Sequence, residues 1–81
     1  MENKLQQIGN RIRDIRQIME ISEEEMARVT GVTVEEYRKH EDGLVESPFA
    51  FLYLCAERFG VDVGVLVSGE SPKLSLYNIT R

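Results

Sequence analysis

The chain contains one histidine and one cysteine, and this pair limits the chemistry open to it. A lone Cys55 forms no internal disulfide, and His40 with Cys55 is too small a set of soft ligands for a zinc site. No nucleophile stands in a recognisable pattern with a base, and no glycine-rich loop is built to cradle a phosphate. Catalysis, a metal and a cofactor are therefore not expected. His40 reads as a packed, hydrogen-bonded side chain, and Cys55 as a small core residue. What remains is charge. Arg11, Arg13, Arg16, Arg28, Arg38 and Lys39 fall in the first half of a chain of 81 residues whose formal charge is −4.

The elements that must position these cations can be read from apolar spacing. Leu5, Ile8, Ile12, Ile15 and Met19 recur every three or four residues, one face of a helix expected from Asn3 to Met19. Ser22 with Glu25, and Thr33 with Glu36, each have the spacing of a capping box. Each box opens a short helix closed by glycine: Met26, Ala27 and Thr30 turn inward before Gly31, and Tyr37 and His40 before Gly43. Ser47 is expected to cap a fourth helix with Pro48 in its first turn. That helix directs Phe49, Leu52, Cys55, Ala56 and Phe59 inward, with Gly60 as its stop. Phe51 and Tyr53 lie off this stripe and are candidates for a dimer contact. Asp62 caps a last short helix through Val65, Leu66 and Val67, closed by Gly69. The expected fold is all-α: a compact five-helix domain over residues 1–70, then a short extended tail over 71–81.

The segment Ser22–Gly43 is the informative one. Ala27 suits a place where two helices approach closely. Gly31 suits a turn needing positive φ. Val32 and Tyr37 then lock the following helix. Two short helices joined by a turn containing glycine form a helix-turn-helix. The run SEEEMARVTGVTVEEYRKHEDG resembles this motif in the Cro and phage-repressor family, also called the xenobiotic-response-element family. IGNRIRDIRQ looks like that family's first helix, and LCAERFGVDVGVLVSGE like its closing helices.

The resemblance implies a lambda-repressor-like, DNA-binding transcriptional regulator whose third helix enters the major groove of double-stranded DNA. By position, Thr33, Val34, Glu35, Arg38 and Lys39 would face the groove. Arg38 and Lys39 would donate to guanine, Glu35 would accept from cytosine, and Val34 would touch a thymine methyl. Arg16 and Arg28 would add contacts. Ala27, Gly31, Tyr37 and Glu41 would be structural, Glu41 through an ion pair with Arg16 joining the first helix to the third. Two positions depart from the family pattern. Glu23 stands where a polar residue usually meets phosphate, and Leu44–Glu46 supplies no basic side chain after the third helix.

These departures sharpen a conflict. Affinity for DNA depends largely on cations neutralising phosphates, yet residues 33–46 carry Glu35, Glu36, Glu41, Asp42 and Glu46 against Arg38 and Lys39. Useful binding is thus expected to need a homodimer on two half-sites about one helical turn apart. The competing expectation is a protein-interaction module on a helix-turn-helix whose DNA face has turned acidic. The tail, GESPKLSLYNITR, resembles the junction to a C-terminal cupin domain, which implies a sensor domain beyond this chain. No apolar run reaches the length of a membrane helix, and the N-terminus lacks a signal-peptide pattern. A cytoplasmic location and no membrane partner are expected.

Overall fold

The computed structural model describes residues 3–68. The expected Gly69 stop and extended tail lie outside them. Five helices occur: α1 (Lys4–Ile18), α2 (Glu23–Thr30), α3 (Val34–Glu41), α4 (Phe49–Phe59) and α5 (Val63–Ser68). No strand occurs among the described residues.

Local sequence explains most of the helix ends. The Asn3 side chain accepts from the Gln6 amide, Ser22 from Glu25 and Thr33 from Glu36, each meeting an amide that a helix start leaves unpaired. Gly31 adopts φ 76°, and its N–H returns to the Ala27 and Arg28 carbonyls. Only half of the expected capping box forms at Ser22, because the Glu25 carboxylate is drawn to Arg28 and Arg58 instead.

Two ends differ from expectation. Helix α4 begins at Phe49 with extended Pro48 as its cap, not with Ser47 as cap and Pro48 helical. The Ser47 hydroxyl is engaged elsewhere, 2.7 Å from His40 Nδ1. Helix α1 stops at Ile18, and Met19 is its cap and exposed rather than inward. The chain then turns through Glu20 at φ 58°, a left-handed conformation that costs a non-glycine residue about 1–2 kcal/mol.

The core gathers Ile8 and Ile12 from α1, Ile21 from the α1–α2 connection, Met26 and Ala27 of α2, Tyr37 of α3, and Leu66 of α5 around the inner face of α4. That face is Phe51, Leu52, Cys55, Ala56 and Phe59. Phe49, expected inside, is 65 % exposed, whereas Phe51 is buried. The rotation follows from His40: its ring stacks on Phe51 with centroids 3.9 Å apart, drawing that side chain into the core. Phe51 is therefore removed from the expected dimer contact. Tyr53 remains exposed and stacks on Phe49. Burial holds the Cys55 thiol at about 12, assisted by the nearby Glu41 charge, so it stays protonated as a core residue.

Helix α1 packs on α3, α4 and α5, while α2 packs on α3 and α4. Among the described glycines the tightest approach is at Gly9, where an added Cβ would strike the Glu41 carbonyl oxygen. This contact was not evident from spacing, since glycine inside a helix ordinarily only weakens it. Gly31 differs: it has open space around it but a left-handed backbone. Gly9→Ala should destabilise the fold by about 2–3 kcal/mol through overpacking, and Gly31→Ala by about 1 kcal/mol through backbone strain. Urea denaturation of both variants checks the order, and a Gly9→Ala protein as stable as the wild type contradicts the close approach.

Candidate nucleic-acid interface

Helix α3 has two faces with different roles. Its inner face presents Tyr37, His40 and Glu41, all buried. Its outer face presents Glu35, Arg38 and Lys39 to solvent, with Thr33 exposed at the cap. Val34 is only half available, because it packs against the core. The three residues Gly31, Val32 and Thr33 connect α2 to α3. The Val32 N–H bonds the Ala27 carbonyl at 3.1 Å, fixing the turn directly onto α2.

The inner face holds α3 through a buried ion-pair network. Glu41 is 1 % exposed, and an ionised carboxylate at that depth needs both compensating charge and hydrogen bonds. Arg16 Nε donates to Glu41 Oε2 at 2.6 Å, and Arg16 Nη2 donates to Oε1 at 3.3 Å. Tyr37 Oη donates to Oε2 at 2.5 Å, and Arg13 Nε to Oε1 at 3.3 Å. The hydrogen bond to Glu41 raises the Arg16 pKa, so this guanidinium stays charged. Burial, then the bond to Glu41, pushes the Tyr37 phenol far up, so it remains a donor. Arg16 also donates from Nη1 to the Ile21 carbonyl at 3.0 Å. The ion pair that the resemblance implied for Arg16 and Glu41 is thus present.

His40 completes the inner face. Its Nδ1 meets Ser47 Oγ, and its Nε2 lies 3.5 Å from Glu36 Oε2. Burial lowers its pKa against the opposing pull of Glu36, which favours neutral imidazole. No group of three or more His, Cys, Asp and Glu residues could hold a metal among the described residues.

The outer face and its surroundings are less basic in effect than a residue count suggests, because every cation there but Lys39 has a partner. Arg38 Nε bonds Glu23 Oε1 at 2.8 Å across the α2–α3 pair. Arg28 pairs with Glu25 on α2, and Arg58 reaches the same carboxylate from α4. Arg13 donates to Asp42 Oδ1 at 2.5 Å. Arg11, expected among the surface cations, donates from Nη1 to the Leu66 and Val67 carbonyls, both at 3.0 Å, closing the C-terminal end of α5. Every arginine among the described residues therefore has an internal partner. Lys39 stands exposed on α3 without an ion pair among those residues. Spacing placed the solvent-facing positions of α3 but missed this pairing, since only Arg28–Glu25 is local in sequence.

No helix of the described residues is long and apolar enough to cross a membrane. A shallow surface depression lined by Val29, Leu54, Glu57 and Arg58 lies apart from the outer positions of α3.

Glu41→Gln removes the charge that holds Arg16, Tyr37 and Arg13 together. It should destabilise the protein by about 3 kcal/mol, the scale for breaking a buried ion pair. Glu25→Gln at the exposed Arg28 pair should leave the denaturation midpoint nearly unchanged. Equal, small effects in both variants contradict the anchoring role of Glu41.

Comparison with family models, curated proteins and solved structures finds no match to the chain.

Proposed function

We propose that the chain is a sequence-specific DNA-binding transcriptional regulator of the lambda-repressor-like type, with α3 as its recognition helix. The observation that carries this reading is the division of α3: Tyr37, His40 and Glu41 fix one side to the core, leaving Glu35, Arg38 and Lys39 on the other side facing solvent. A helix held so rigidly, next to a second helix across a tight turn, suits insertion into the major groove. Arg38 and Lys39 donate to guanine O6 and N7 in this reading, and Glu35 accepts from a cytosine amino group. Thr33 lies at the same helix start.

The resting charge pattern gives weak non-specific affinity, so two copies on adjacent half-sites provide the required grip. The exposed Phe49 and Tyr53 pair is available for such an association. No catalytic role is proposed, and the reading places the regulator in the cytoplasm with DNA.

A second reading is favoured by one observation: every arginine among the described residues is already engaged by an internal partner. In that reading the helix-turn-helix is a protein-interaction module with an acidified outer face.

A selection from a random duplex library separates the two, using the chain alone and the chain fused to a dimerising coiled coil. The regulator reading predicts an enriched palindrome whose recovery falls at least tenfold, on the order of one lost base contact, in Arg38→Ala or Lys39→Ala. No enrichment from either form, at low or physiological salt, overturns it in favour of the interaction module.

A further inference from the structure

Glu23 is the feature that the proposed function leaves unexplained, and its surroundings give it a role. It is the first residue of α2, where the helix N-terminus favours a negative charge. One carboxylate oxygen accepts from Arg38 Nε at 2.8 Å, and the other lies 3.9 Å from Arg16 Nη2. The Arg38 pair bridges two helices at the surface: the side chains are 53 % and 28 % exposed. This contrasts with the buried Arg16–Glu41 pair behind it. An exposed pair exchanges partners readily, because water and salt screen its attraction.

We infer that Glu23 is an internal stand-in for a DNA phosphate, occupying the Arg38 guanidinium until a DNA acceptor displaces it, and so sets the balance between non-specific and specific binding. The inference rests on the DNA-binding reading of α3. A carboxylate and a phosphate offer a guanidinium the same pair of acceptor oxygens. Non-specific DNA offers Arg38 only phosphate, so exchanging Glu23 for it gains little. A matching sequence offers guanine O6 and N7 together, which repays the exchange. Release does not strand Glu23, because its second oxygen remains beside Arg16. The bond to Glu23 raises the Arg38 pKa, and Glu24 and Glu35 add to the negative field around it, so the guanidinium is charged while it is paired.

The test is a cycle of four proteins: wild type, Glu23→Gln, Arg38→Ala and the double variant. Each is titrated into a labelled random-sequence duplex over a series of salt concentrations, with circular dichroism confirming the fold. Glu23→Gln should bind about three- to tenfold more tightly at low salt and show a salt slope steeper by about one released counterion. That gain should vanish in the Arg38→Ala background. A gain of equal size in both backgrounds means that Glu23 acts only as bulk negative charge, and overturns the inference. So does the absence of any gain from Glu23→Gln where Arg38→Ala alone weakens binding. If none of the four binds duplex at low salt, the DNA-binding reading fails and the inference fails with it.

Discussion

Glu41 is buried where a carboxylate survives only if cations and donors surround it, and much of the molecule is arranged to meet that condition. Arg13 and Arg16 approach from α1, and Tyr37 approaches from one turn earlier on α3. The two arginines can reach because α1 lies against the end of α3, an approach that Gly9 permits by having no side chain to strike the Glu41 carbonyl. Arg16 then extends the restraint to the α1–α2 connection through the Ile21 carbonyl. One buried charge thus sets the orientation of α3 relative to both preceding helices. An apolar residue at position 41 would fill space but would impose no direction, whereas hydrogen bonds to defined oxygens do.

The same restraint separates the two sides of α3. The inner side is committed to the core and to His40, whose ring stacks on Phe51 and meets Ser47. The outer side is free of packing and carries mixed charge. Arg38 rests on Glu23, and Lys39 projects beside it. In the proposed regulator the fold contributes rigidity and the outer side chains contribute selectivity. The chain's overall negative charge then suppresses indiscriminate attachment to DNA without abolishing a specific contact.

What was legible in the sequence was local. Ser22, Thr33, Gly31 and Gly60 mark helix ends through interactions with their own neighbours, so their residue types suffice to place α2, α3 and the end of α4. The solvent-facing positions of α3, Glu35, Arg38 and Lys39, followed from helical spacing once that helix was placed. The remainder depends on tertiary contacts that spacing does not carry. Ser47 looks like a cap, but His40 claims its hydroxyl. Phe49 and Phe51 are chemically equivalent candidates for the core, and the stack on His40 decides between them. Glu20 turns left-handed without a glycine to announce it. Arg11 looks like a surface cation, but its partners are the Leu66 and Val67 carbonyls, far along the chain.

The central claim is that the solvent side of α3 is the surface that meets DNA. Its most direct test is amide chemical-shift mapping by NMR while a short mixed-sequence duplex is titrated into the protein at low salt. The account predicts the largest shifts along Thr33, Glu35, Arg38 and Lys39, extending to Glu23, with the amides of α5 little changed. Shifts centred instead on Phe49 and Tyr53, or none anywhere on α3, would contradict it.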